Sequence, residues 1–492
     1  MPPEITMKRT SVLAVGLLAC LAIAGGAYAD GTLTLVRMES LQASALARQL
    51  AEAGFDVLPV AEGQNACEVI VSDAELAALR RRDLNPQVVR VGRPFREIQA
   101  AELSIQAVPA GYPDLAQILA QLHAVQSDFP EICRVVNLTE TYGTPSTFEG
   151  RPLLALKISD RVAEEEDEPA FLLVAAHHAR EIVTPVIALH VIEHLTQRYG
   201  VDLTITALVD EYEIWVAPVW NPDGYEHVFR TDNFWRKNRR MFEGSAGIGV
   251  DLNRNYPFGW DAVCGGSTTA ASETYRGPSA ASEAETQTMI AFGRDRRFAK
   301  VADLHSAARE MRYANRCLFH PFLAFLAAEA ACLAAPAQYA TALSCCTGGD
   351  IHFHMAEYGS HAFLWETHSS FQPSYVCART EALRVFPSLL ALLQRPISVS
   401  GQVTDALTGK PVAATLTPVG VAFPNGETNG SEARRGRYHA FLPDGTHTLA
   451  FAADGYFTQF CVVNVTPGSR HVIDIRMIPH DIPPEGDRKG SP

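Results

Sequence analysis

The chain has 492 residues, a net charge of −14 and 47% hydrophobic residues. That apolar share excludes wholesale disorder, and the length leaves room for roughly two to four domains. The acidic balance argues against a protein that tracks a nucleic-acid backbone.

Residues 1–29 read as a signal peptide. Lys8 and Arg9 precede an apolar run from Val12 to Ala24, and Ala27-Tyr28-Ala29 has the small-x-small form of a cleavage site. Leu17-Leu18-Ala19-Cys20 partly resembles a lipoprotein box, but the chain stays apolar past Cys20, so anchoring there ranks second. No later run approaches the roughly 20 apolar residues of a membrane span. The expectation is therefore export, to the periplasm or the exterior. Of the ten cysteines, Cys20 leaves with the signal; the odd remainder permits disulfides without revealing their pairing.

Residues 30–107 read as a small α/β unit. LTLVRM, FDVLPV and CEVIVSD suit strands, and LQASALARQLAEAG suits an amphipathic helix that stops at Gly54. Arg80-Arg81-Arg82 reads as a solvated helix end, with a processing site as the alternative. Residues 108–395 alternate strands (LLALKI, FLLVAA, EIWVAPVW, KVADLHS) with helix-length segments, which predicts an α/β domain: a mixed sheet flanked by helices. Sites in such sheets gather at the carboxyl ends of strands. Residues 396–479 hold short strands between Asp-Gly and Pro-Gly turns, the pattern of a β-sandwich. Residues 480–492 read as a disordered tail.

Two neighbouring segments offer a metal a histidine and a carboxylate three residues apart. His178-Ala-Arg-Glu181 follows the buried strand FLLVAA and falls on a loop, ahead of a helix expected to open with Thr184 as N-cap and Pro185 at the first position. His190-Val-Ile-Glu193-His194 falls inside that helix, where His190 and His194 share a face. Histidines at a core boundary are commonly metal-free, so neither pair decides the matter alone. Catalytic zinc takes three protein ligands and keeps a fourth position open. His305 ends the run AKVADLHS, and Glu366 follows the apolar AFLW; between them and the first pair lie NPDGY, WRKNR and GVDLNRN.

HAREI, NPDGY, WRKNR, GVDLNRN, DLHS and WETHSSFQP occur in the order seen in zinc metallocarboxypeptidases of the carboxypeptidase A, B and T type, and residues 108–395 resemble that family. Residues 396–479 look like the transthyretin-type module of its regulatory members. The resemblance implies one Zn2+ held by His178, Glu181 and His305, with His190, Glu193 and His194 as a decoy. It implies Glu366 as general base and Arg236 as oxyanion stabiliser. Asn253 and Arg254 match the clamp on a substrate's free C-terminal carboxylate, and Arg180 a further substrate contact. Asp251 is placed to orient His178. Asn221-Pro-Asp-Gly224 reads as a turn. The base of the specificity pocket falls near Asp350-Ile351-His352: Ile351 there implies an apolar or aromatic C-terminal side chain, whereas a one-residue shift to Asp350 implies Lys or Arg. Two positions depart from the family pattern. Ser344 stands where a substrate-capping tyrosine is expected, and Asn233 where an arginine is common.

The implied function is an exported zinc carboxypeptidase acting on peptide or protein C-termini. A zinc peptidase acting on cell-wall peptides and a catalytically silent peptide-binding homologue are the rivals. Residues 30–107 are either an inhibitory pro-domain or a permanent structural unit.

Overall fold

The computed structural model describes residues 34–57, 65–82, 84–90, 108–242, 248–344 and 346–480. The expected signal peptide, the last residues of FDVLPV and the tail from residue 481 lie outside them.

The first unit runs β1 (Thr34–Glu39), α1 (Ala43–Glu52), β2 (Asp56–Val57), β3 (Ala66–Val71), α2 (Asp73–Arg81) and β4 (Gln87–Arg90). Its antiparallel sheet has the order β2-β3-β1-β4. Alternation along β1 turns Val36 and Met38 inward, where they meet Val69, Val71, Leu50 and Leu79. Ser72 and Glu75 form a reciprocal capping box that starts α2. Arg80 and Arg81 close the same helix, as a solvated end requires.

The central unit contains α3 (Leu115–Asp128), β5 (Cys133–Asn137), α4 (Leu138–Tyr142), β6 (Leu154–Ile158), β7 (Ala170–Ala175), α5 (Val183–Arg198), α6 (Leu203–Glu211), β8 (Glu213–Ala217) and α7 (Pro222–Arg230). It continues with α8 (Ala284–Arg296), β9 (Lys300–His305), β10 (Glu310–Asn315), α9 (Leu323–Ala334), β11 (Ala340–Ser344), α10 (Asp350–Tyr358), β12 (His361–Glu366) and α11 (Tyr375–Gln394). The strands form one mixed eight-stranded sheet, β11-β10-β12-β9-β7-β8-β6-β5, parallel from β12 through β9 and β7 to β8. Every residue of β7, β8 and β9 is buried, which is why β7 and most of β8 are continuous apolar runs.

Two local readings change. Helix α5 starts at Val183, so Thr184 lies in its first turn and is not the cap. Its hydroxyl is used otherwise, donating to the Glu181 carbonyl (2.8 Å) and accepting from the Ala176 N–H (3.1 Å). NPDGY opens α7 instead of forming a free turn: the Asn221 side chain caps the Gly224 N–H at 2.9 Å, and Pro222 takes the first helical position. Asp223 is fully buried and accepts from Thr147, the Glu149 N–H and Arg151.

The last unit has β13 (Val399–Asp405), β14 (Thr415–Pro418), β15 (Arg437–Ala440), β16 (Gly445–Ala452), β17 (Tyr456–Phe457), β18 (Gln459–Val465), β19 (His471–Val472) and β20 (Ile475–Pro479). They form two sheets that share a core of Val403, Leu416, Tyr438, Leu449, Phe451, Val463 and Met477. Arg435 and Arg437 bind it to the central unit by donating to the carbonyls of Glu165, Glu166 and Glu168. A disulfide joins Cys264 and Cys317, the pairing that sequence left open.

Candidate active site

Three adjacent parallel strands deliver the central residues. In register, Ala175 of β7 pairs with Leu304 of β9, and His305 pairs with Glu366 of β12. The chain leaves β7 through Ala176, whose φ of 53° is unusual for a residue with a side chain and is held by the Thr184 bond above. That bend carries His178 and Glu181 back over the carboxyl ends of the strands.

His178, Glu181 and His305 converge. His178 Nδ1 lies 2.9 Å from Glu181 Oε1 and 3.0 Å from His305 Nδ1, which lies 3.1 Å from Glu181 Oε2. Two bonds of about 2.1 Å put donor atoms about 3.4 Å apart at a tetrahedral angle and about 3.0 Å apart near a right angle, so these three are close enough to meet on one zinc ion. The far nitrogens face carboxylates: His178 Nε2 is 3.1 Å from Asp251 Oδ1, and His305 Nε2 is 2.9 Å from Asp303 Oδ2. Carboxylate-backed imidazoles are the usual outer support of a metal site. Burial opposes charge on Glu181, but His178 and His305 hold its carboxyl below the usual range. Burial likewise opposes charge on His305, while Asp303 and Glu181 hold its pKa well above the ordinary value.

His177, Asp303 and His305 form a second cluster with ligand-like spacing. Both ring nitrogens of His177 are already taken, Nδ1 by Asp303 at 3.0 Å and Nε2 by the Tyr256 hydroxyl at 2.9 Å, and the residue is fully buried. The first trio lines a cleft; His177 and Asp303 do not. The helical histidines lie elsewhere: His194 packs on Phe386 of α11 with ring centroids 4.2 Å apart, and His190 Nδ1 is 3.9 Å from Glu193.

Around the trio the cleft encloses about 480 Å³. Arg236 grips Asp251 through Nε (3.1 Å) and Nη2 (2.8 Å), and its Nη1 is 3.9 Å from Glu181. Burial disfavours its charge, but Asp251 keeps it protonated. Asn253 and Arg254 lie on a short 3-10 turn after Asp251 and both line the cleft. Gly348 and Gly349 press against that turn: a Cβ on Gly348 would stand 2.7 Å from the Arg254 carbonyl oxygen, and one on Gly349 would stand 2.8 Å from Asn253 Oδ1. Glu366 lines the cleft wall with Arg312, whose Nε is 3.4 Å away. Burial raises the Glu366 carboxyl, and Arg312 and His305 offset part of the rise.

Ile351 lines the cleft. Asp350 does not; it is fully buried, with His354 Nε2 at 3.5 Å. Ser344 lines the cleft as well, and Tyr339 is bonded to Glu381. Asn233 donates to Gln372 at 3.3 Å. Arg180 pairs with Asp56 of β2 at 3.3 Å and stacks on Phe371. The first unit closes this side of the cleft with Ala47, Arg48, Ala51, Phe55 and Asp56.

Residues 118–340 match the family model described as zinc carboxypeptidase. This segment is similar to the zinc carboxypeptidase family. A zinc carboxypeptidase of Saccharothrix mutabilis subsp. capreolus is 32% identical over 277 residues, which is 52% of this chain and 61% of that relative. Carboxypeptidase A2 of Rattus norvegicus is 38% identical over 37% of this chain and 41% of its own length. The chain thus spans less than two thirds of the curated relatives it matches. The carboxypeptidase A of Helicoverpa armigera superposes with a TM-score of 0.58 at 20% identity, over 73% of this chain and 96% of that one, so the two share a fold. The family implies Zn2+.

His177, Asp303, Tyr256 and Arg312 are the site residues that sequence reading passed over. Asp303 carried a signal: a carboxylate inside an otherwise apolar buried strand, two residues before His305.

Proposed function

We propose that the protein is an exported zinc-dependent carboxypeptidase that hydrolyses the last peptide bond of peptides or proteins. The observation that carries this is the meeting of His178 Nδ1, His305 Nδ1 and the Glu181 carboxylate in one cleft with Glu366, Asn253 and Arg254. His178, Glu181 and His305 would hold the ion. When bound, zinc supplies a polarised scissile carbonyl and a water molecule of lowered pKa.

The chain's own groups do the remainder. Glu366 takes the proton from the attacking water and returns it to the leaving nitrogen. Arg236, fixed by Asp251, donates to the carbonyl oxygen as negative charge grows there. Arg254 and Asn253 grip the terminal carboxylate, which makes removal exopeptidic. Ile351 in the cleft wall and Asp350 outside it favour an apolar or aromatic C-terminal side chain. Arg312 is engaged with Glu310 at 2.9 Å and with Glu366, so its charge is balanced within the wall. The β-sandwich is read as a transthyretin-like module, and residues 30–107 as a pro-domain over the cleft. Export rests on the N-terminal sequence; among the described residues no helix is long and apolar enough to cross a membrane.

The test is mass spectrometry of a mixed peptide pool incubated with the protein, before and after removal of the first unit, with and without a chelator. Chelator-sensitive loss of single C-terminal residues, chiefly apolar or aromatic, is expected. No loss after clipping and added zinc overturns the activity, and attack on cell-wall peptides alone reassigns the substrate.

A further inference from the structure

Behind His305 lies a buried chain of side chains to which the catalytic scheme assigns no step. His305 Nε2 is 2.9 Å from Asp303 Oδ2; Asp303 Oδ1 is 3.0 Å from His177 Nδ1; His177 Nε2 is 2.9 Å from the Tyr256 hydroxyl. Asp303 and His177 are fully buried, Tyr256 likewise, and the His177 ring stacks on that of His305 with an interplanar angle of 11°.

With His305 Nδ1 given to a metal, one assignment of protons satisfies every link of this chain without charging an imidazole. The Tyr256 hydroxyl faces both His177 Nε2 and Asp350; with its proton given to His177 Nε2, the His177 proton is left on Nδ1, donated to Asp303. Asp303, ionised, takes a second proton donation from His305 Nε2–H, so His305 presents a bare lone pair at Nδ1. That atom is the one that meets His178 and Glu181. Asn253 Nδ2, which can only donate, also lies 2.9 Å from His305 Nε2, but the ionised Asp303 at 2.9 Å can only accept, and its charge keeps the proton on Nε2.

The two supporting carboxylates differ. Asp251 is paired with Arg236, so its charge is already neutralised. The ion-pair partners of Asp303 are both imidazoles. A buried carboxylate without a cation is costly. A dication held by Glu181 and two neutral histidines leaves one net positive charge, and Asp303 is placed to balance it through His305.

We infer that Asp303, fixed by His177 and Tyr256, is a positioning residue that selects the His305 tautomer and sets the affinity of the metal site. The inference rests on the zinc reading above. It also makes the His177, Asp303 and His305 cluster a support for one ion and not a second metal site.

The experiment measures zinc affinity of the full-length chain by chelator competition, and the visible spectrum of its Co2+ form. Asp303→Asn is expected to raise the zinc dissociation constant by about 10–100-fold and to alter the cobalt bands, while the thermal midpoint of the metal-free chain moves little. Tyr256→Phe, which removes one hydroxyl, is expected to give a smaller change of the same kind, and it decides the matter if Asp303→Asn does not fold. Wild-type affinity and spectrum in the folded variants overturn the inference. So does uptake of two ions per chain with one lost in Asp303→Asn, because the cluster would then be a ligand set. His178→Ala is run beside them: wild-type metal binding in that variant sinks the zinc reading itself, whereas loss there with Asp303→Asn unchanged sinks only the support.

Discussion

Glu366 and Ile351 carry the sharpest residue-scale predictions, because neither is placed to hold the ion. Replacing Glu366 by Gln keeps the shape of the side chain and removes the proton acceptor. Turnover should fall by about 10²–10⁴-fold while zinc content stays at the wild-type level. Unchanged turnover would remove Glu366 from the mechanism, and lost zinc would make it a ligand. Ile351 tests selectivity. Ile351→Asp places a carboxylate on the cleft wall and should move the ratio of kcat/KM for C-terminal Lys or Arg over Phe by on the order of 10–100-fold. No movement would show that the side-chain pocket is built by other residues. The decoy histidines make the same point in reverse. His190 and His194 have the spacing of ligands, but Phe386 packs against both rings, and among the described residues they do not converge with a third donor in a ligand-like cluster. Spacing permits a site; the neighbours across the fold decide it.

The loop that carries Arg236 hangs on the first turn of α8. Asn238 donates to Glu283 Oε2 at 2.8 Å and stands 3.4 Å from Glu285 Oε2, and Arg240 donates to Glu283. Burial and the neighbouring Glu283 push the Glu285 carboxyl up to about 8. A carboxyl raised in the folded state stabilises it fully below the unfolded value of about 4.5 and loses that contribution as pH rises through about 8. Thermal melts between pH 5 and 9 should therefore show a fall in Tm for the wild type that is shallower in Glu285→Gln. Equal slopes would show that Glu285 is ionised throughout. Strand β7 was legible in sequence because burial on both faces demands an unbroken apolar run. The ligands were legible because they stand at the ends of strand-like runs. Helix starts were less so: Thr184 and Asn221 look alike as cap or turn residues, and only tertiary partners separate them. Glu181 and Ala176 claim the Thr184 hydroxyl, while Asp223, buried among Thr147 and Arg151, holds NPDGY as a helix start. His177 was passed over because its partners, Asp303 and Tyr256, are remote in sequence.

At the scale of the whole chain, the first unit bears on whether the cleft is open. Three contacts tie it to the central unit beside the catalytic groups. Asp56 pairs with Arg180, the Gly54 carbonyl accepts from Thr274 at 2.6 Å, and the Ala51 carbonyl faces Cys346 Sγ at 3.6 Å. Arg180 and Asp56 are both almost wholly buried, so their pairing excludes water and occupies a group proposed to contact substrate. A substrate carboxylate and Asp56 would then compete for the same cationic wall. The full-length chain should therefore cleave peptides slowly, and proteolysis between α2 and α3 should raise kcat/KM. Asp56→Asn should raise the activity of the uncut chain and leave the clipped chain unchanged, because the substituted residue departs with the fragment. The measurement is kcat/KM on one C-terminally unblocked peptide for both chains, before and after the cut. Full activity before cutting would make the unit a permanent part of the cleft wall. Arg180 would then hold the unit in place, and its replacement would lower stability more than it raises KM.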